Sequence, residues 1–179
     1  MREFPPTRTG GKLAMNAPRR IEQADRDPFL DHYLEVVGLV ERLHRLLLDV
    51  IKDEFERLGI LEINAVQGLM LFNIGENVVT AGELKTRGYY QGSNVSYNLK
   101  KLVSTGYMSH RRCEVDRRAV RVGLTDKGFA IRERLSRLFA RHAEGIGHSR
   151  ALGDTPIHEI SATLLRMERY WADQIRYIY

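Results

Sequence analysis

A mainly α-helical fold carrying one small β-hairpin is what this 179-residue chain predicts, on three observations. Apolar residues recur every three or four positions through most of its length, the period of helices that bury one face. Only Tyr107 to Arg112 and Ala119 to Leu124 have strand character, with Glu114 to Arg117 between them as a hairpin tip. From Leu84 to Gly128 the order is helix, turn, helix, basic hairpin and a new helix start, which is the order of a winged helix-turn-helix.

Each element follows from local chemistry. From Asp27 onward Leu30, Leu34, Val37, Val40, His44, Leu47, Ile51, Phe55 and Leu58 predict a long first helix that Gly59 closes. Asn64 caps a second helix, whose Val66, Leu69, Met70 and Ile74 precede Gly75. Thr80 and Glu83 have the spacing of a capping box for a third, and Gly88 marks the turn after it. The fourth is expected from about Ser93 to Thr105, with Val95, Leu99 and Leu102 buried and Gly106 as its stop. Beyond the hairpin, Thr125 and Asp126 cap a fifth helix carrying Phe129, Leu135, Leu138, Phe139 and Ile146, which Gly145, Gly147 and Gly153 are expected to break. Pro156 starts a sixth, with Ile157, Ile160, Leu164, Met167, Trp171, Ile175 and Ile178 along one stripe.

Residues 1–26 hold Pro5, Pro6, Gly10, Gly11 and Pro18 among scattered Arg and Lys, which predicts a disordered basic arm. Residues 27–179 are expected to form a single domain: a winged helix-turn-helix over 60–125, and a helical layer from 27–59 and 126–179. Those terminal helices present more apolar surface than a domain of this size covers by itself. They are expected to cover each other across a homodimer.

Charge is concentrated in one place. Between Lys85 and Arg121 nine Lys and Arg stand against Glu114 and Asp116, a local +7 in a chain that nets only +5. Such a patch suits phosphate, because each neutralised phosphate releases condensed counterions. A basic face would also serve a helical module that binds an acidic protein partner. The helix pair followed by a hairpin favours double-stranded DNA instead.

Other chemistries lack their minimum parts. The chain has no G-x-x-x-x-G-K-[ST], H-E-x-x-H, G-x-S-x-G or C-x-x-C, so neither an enzyme nor a cofactor is expected. His142, His148 and His158 with Glu159 have no diagnostic metal spacing, and solvated histidines are commoner than ligands, so no metal site is expected. The lone Cys113 excludes an internal disulfide and its place suits strand packing. Short apolar runs argue against a membrane span, and a cytoplasmic location is expected.

The run Asp116-Arg117-Arg118-Ala119-Val120-Arg121-Val122-Gly123-Leu124-Thr125-Asp126-Lys127-Gly128 resembles the MarR family of bacterial transcriptional regulators, and so do Leu102 to Gly106 and Glu83-Leu84. The resemblance implies a homodimeric repressor, one winged helix per subunit, reading a palindromic operator and released by a small aromatic ligand. It implies that Arg118 enters the minor groove with Asp116 orienting it, and that Arg117 and Arg121 contact phosphate, within a basic wing that also holds Arg111 and Arg112. On the fourth helix Ser93, Asn94, Ser96, Tyr97, Lys100 and Lys101 face away from the apolar stripe, as candidates for base edges and backbone. Tyr97 stands where a basic residue is common in the family, and Asn98 where an apolar one is usual. The ligand pocket implied by the resemblance falls at Leu47, Ile51, Leu69 and Phe72.

Overall fold

The computed structural model describes residues 27–80, 83, 92–111 and 121–178. In chain order it holds α1 (Pro28–Arg57), α2 (Ala65–Ile74), β1 (Val79–Thr80), α3 (Gly92–Ser104), β2 (Met108–Arg111), β3 (Arg121–Leu124), α4 (Asp126–His148) and α5 (Ile157–Ile178). The predicted basic arm at 1–26, Gly88 and the hairpin tip lie outside the described residues. The chain divides within α1, between Leu43 and His44, into two compact units. In the first, Phe29, Leu30, Leu34, Leu39 and Leu43 are all exposed.

The second unit holds the core. Ile51 and Phe55 of α1, Met70, Leu71 and Ile74 of α2, Val95 and Leu102 of α3, and Ile131, Leu135 and Leu138 of α4 enclose it with Val79, Met108, Val122 and Leu124 of the sheet. The three strands are antiparallel in the order β1-β3-β2, with Val79 opposite Val122 and His110 opposite Val122 on the other side. Sequence periodicity predicted only the β2-β3 hairpin. A two-residue strand is too short to show alternation, so β1 was hidden although Val78-Val79-Thr80 is β-branched throughout.

Side chains start the helices where expected. Asn64 accepts from the Gln67 N–H at 2.9 Å while the Gln67 side chain accepts from the Asn64 N–H at 3.1 Å, a reciprocal capping box for α2. Thr80 and Glu83 form the same pair of bonds, at 2.6 and 3.1 Å, and the rest of the third predicted helix lies outside the described residues. The fifth predicted helix departs from expectation, because α4 runs straight through Gly145 and Gly147 to His148. A helical glycine costs only about 1 kcal/mol relative to alanine, too little to end a helix already anchored by Ile131, Leu135 and Leu138. The chain turns only beyond it, where Gly153 adopts φ +54°.

Two links fix α4 against its neighbours. Near its middle, Arg141 donates to the nearly buried Glu54 carboxylate of α1 at 3.1 Å, and Arg57 donates to the same carboxylate at 2.8 and 2.9 Å. The Arg57 bonds, helped by Arg141, hold the Glu54 carboxyl below its ordinary range against the opposing effect of burial. At its start, Thr125 accepts from the Gly128 N–H and donates to the Gly106 carbonyl at 2.7 Å. Gly128 itself lies so close that a Cβ there would overlap the carbonyl oxygen of Tyr107.

Gly128→Ala must therefore push backbone against backbone, and should destabilise the protein by about 3 kcal/mol, the upper end for overpacking. Gly68→Ala should cost less, because its Cβ would press on the Phe55 ring, with Leu135 in ordinary contact, and a side chain yields more readily than backbone. Urea unfolding of the two variants beside the parent checks the ranking.

Candidate nucleic-acid interface

The helix α3 has two chemically distinct sides. Val95, Asn98, Leu99 and Leu102 are buried, whereas Ser96, Tyr97, Lys100 and Lys101 are exposed, Tyr97 at 67%. Hydrophobic residues at positions 95, 99 and 102 draw one face onto the core, and the 3.6-residue period leaves the polar set on the other. Ser93 and Asn94 fall in the first turn of the same helix. The polar face is free of acidic side chains, so its local charge is that of the two lysines.

The wing is described at its base only. Arg111 ends β2 directly opposite Arg121 of β3, and Arg121 also faces Thr80 of β1. Arg121 is half-buried and its Nε is buried without a hydrogen-bond partner, so part of the side chain predicted as a phosphate contact is packed into the sheet. Arg112, Asp116, Arg117 and Arg118 lie outside the described residues, as does Cys113.

A polar cluster not anticipated from sequence braces the C-terminal end of α3. Glu62, in the α1-α2 connection, accepts from the Tyr107 hydroxyl at 3.0 Å and from Lys127. Lys127 also donates to the Thr105 carbonyl at 3.1 Å and sits 4.2 Å from the centre of the Tyr107 ring. The Lys127 and Tyr107 hydrogen bonds lower the Glu62 pKa, while burial first, and then the bond to Glu62, raise that of Tyr107. No periodicity marks such a cluster, since its members come from three segments joined only by the fold.

The four residues expected to line a ligand pocket all border the core of the second unit. Ile51 is fully buried in the core, and Leu47, Leu69 and Phe72 are half-buried against it, with Phe72 edge-on to Phe139 at 5.0 Å. Two surface clefts of about 460 and 440 Å³ have other linings, one between the end of α1 and the 60–66 connection, the other between α3 and the sheet. His142, His148 and His158 are all exposed, and no cluster of three or more His, Cys, Asp or Glu suited to a metal occurs among the described residues. None of the described helices is long and apolar enough to cross a membrane.

The order of helix, strand, helix and strand hairpin, with the first strand joining the hairpin in one antiparallel sheet, is that of a winged-helix DNA-binding domain, and residues 63–128 match the winged helix DNA-binding domain family. The chain is similar to the exopolysaccharide II synthesis transcriptional activator ExpG of Rhizobium meliloti (strain 1021), 31% identical over 160 residues that cover 88% of this chain and 80% of that protein. In fold it is similar to a MarR transcriptional regulator from Methanosarcina mazei Go1, at 23% identity and a TM-score of 0.62 over 78% of this chain and 98% of the other. Streptococcus pneumoniae FabT, solved in complex with DNA, gives 21% identity and a TM-score of 0.61 over 79% and 98%. The chain belongs to the MarR family of winged-helix regulators: it is a DNA-binding transcriptional regulator, in a family of regulators and not of enzymes.

Because the folded Glu62 pKa is lowered, its contribution to stability is complete above the unfolded-chain glutamate value of about 4.3 and is lost as pH falls through the folded value. Glu62→Gln should remove that part of the acid limb in a plot of melting temperature against pH. Tyr107→Phe, which deletes the donated bond, should cost about 1 kcal/mol at neutral pH by urea unfolding.

Proposed function

We propose that this chain works as a homodimer that sets two copies of α3 into successive major grooves of a palindromic operator, with the wings reaching the flanking minor grooves. The observation that carries this reading is the polar face of α3, where Ser96, Tyr97, Lys100 and Lys101 project from a helix whose other side is core. Base edges are read by the polar and aromatic members, and the lysines neutralise phosphates. Arg118, oriented by Asp116, is assigned to the minor groove, where a planar guanidinium suits the narrow, negative channel. Ser93, Asn94, Arg111, Arg112, Arg117 and Arg121 complete the DNA-contacting set. FabT, a relative in fold, has been solved on DNA, which supports this mode of use.

The dimer part of the proposal rests on unspent apolar surface. On α5, Ile157, Leu164, Leu165, Tyr170, Ile175 and Tyr177 are all exposed, and in the first unit so are Phe29, Leu30, Leu34, Leu39 and Leu43. Apolar side chains left in water in such number mark interaction surfaces, and a second copy supplies the same surfaces in return. A small aromatic effector would act at Leu47, Ile51, Leu69 and Phe72, by parting the three that are only half-buried. Of the two directions of control, the family resemblance implies repression, whereas the 31% identical relative is an activator of exopolysaccharide synthesis and favours activation.

Selection from a random duplex library, followed by footprinting on the enriched sequence, tests the reading; an operator without two-fold symmetry would overturn the dimeric mode. Lys101→Ala should weaken all sequences alike and reduce the salt slope by about 0.9, one phosphate contact. Arg118→Ala should cost about 1 to 3 kcal/mol on the operator and narrow its advantage over random DNA. The double substitution Leu164→Glu with Ile175→Glu touches exposed positions, so it should leave the fold intact while turning a sedimenting dimer into a monomer that binds the operator far more weakly.

A further inference from the structure

One buried contact on α3 serves neither the core nor the DNA face. Asn98 lies in the middle of the apolar stripe formed by Val95, Leu99 and Leu102, at 7% exposure. Its side-chain oxygen accepts from Nε2 of Gln67 at 3.1 Å, and Gln67 is 4% exposed. Gln67 is held in turn, because its Oε1 accepts from the Asn64 N–H and its own N–H donates to the Asn64 side chain. The result is a continuous path of directional bonds from the cap of α2 to the centre of α3. Asn98 stands beside Tyr97 in sequence and one helical turn from Lys101, both on the exposed face.

An apolar contact does not resist rotation strongly, since leucine and valine pack over a range of angles. A hydrogen bond inside a core does, because breaking it leaves two buried polar groups unsatisfied and each is costly. The tips of helix side chains lie about 5 to 6 Å from the axis, so a roll of about 20° moves them by about 2 Å. That distance separates a made hydrogen bond to a base edge from a lost one. Phosphate attraction, long-ranged by comparison, hardly changes.

We propose that Gln67 and Asn98 are positioning residues for sequence readout: their bond pins the roll of α3 about its own axis and so decides which base edges Ser96 and Tyr97 reach. The inference rests on the DNA-reading function of α3 and adds to it a determinant that never touches DNA. A single buried polar pair that fixes register at some expense of stability is an established use of such groups in helical packing.

The test compares wild type, Asn98→Leu, Gln67→Met, and the exchange Gln67→Asn with Asn98→Gln, which keeps the combined reach of the two side chains. Each full-length chain is put through selection from a random duplex library, and its affinity for the wild-type motif and for random duplex is titrated at several salt concentrations. Asn98→Leu fills an apolar stripe and is expected to fold. It should bind random duplex within twofold of wild type with an unchanged salt slope, while its preference for the motif falls tenfold or more. Gln67→Met breaks the same bond from α2 and should reproduce that loss, so either variant carries the comparison should circular dichroism show the other unfolded. The exchange should recover the preference to within threefold. A preference within twofold of wild type in the folded single variants, or an equal fall in motif and random binding, overturns the pin. A wild-type chain that enriches no motif overturns the DNA reading itself, and the pin with it.

Discussion

The entry of α4 against the carbonyl of Tyr107 sets the geometry of the DNA-reading half of this molecule. Two stretches of chain, 102–107 and 125–128, converge on that point. The end of α3 turns at Gly106, Tyr107 hands its N–H to the carbonyl of Leu102, the Thr125 N–H bonds the Tyr107 carbonyl at 3.1 Å, and Gly128 lets the α4 backbone pass without a Cβ. The wing strands leave and return through the same corner, with Met108 paired to Leu124. A displacement there would therefore move α3 and the wing strands together. The Glu62, Tyr107 and Lys127 cluster sits on this corner and adds a polar brace from the α1-α2 connection.

Burial and charge are divided between the elements in a way that follows from their duties. The core of the second unit is closed almost wholly by aliphatic side chains, and its few polar members, Glu54, Gln67 and Asn98, all have hydrogen-bond partners. Glu54 links α1 to α4 through Arg141 and bonds Arg57 within α1, and both arginine side chains stay largely exposed, so its charge is compensated without burying a second ion. The exposed face of α3 carries no acidic side chain.

The sequence was informative wherever a rule is local. Asn64 and Thr125 announced their caps, the apolar spacing of Val95, Leu99 and Leu102 located the buried side of α3, and L-T-x-x-G at Leu124 to Gly128 marked the strand-to-helix corner. It was silent wherever distant segments meet. The two-residue β1 exists only because β3 offers it a partner, and the Glu62 cluster joins residues 65 positions apart. Gly145 and Gly147 misled, since a breaker rule counts backbone entropy and ignores the packing upstream that carries α4 past them. Asn98 was visible as a polar residue in an apolar stripe, but its partner was not. At Leu47, Ile51, Leu69 and Phe72 apolar spacing describes a packed wall and the lining of a pocket in identical terms.

The two glycines near the end of α4, Gly145 and Gly147, have a kinetic consequence. At both Gly145 and Gly147 a side chain would meet nothing within 4 Å, so these positions gain neither packing nor the entropic advantage of a Cβ. The turns around them are held by little more than backbone hydrogen bonds, in a stretch from His142 to Arg150 whose residues are all exposed. In one chain, native-state amide exchange should run as a gradient along α4: slow near Leu135, and fast in the last two turns through openings that leave the rest folded. Openings of that kind would let the direction of α5 vary while the rest of α4 stays folded.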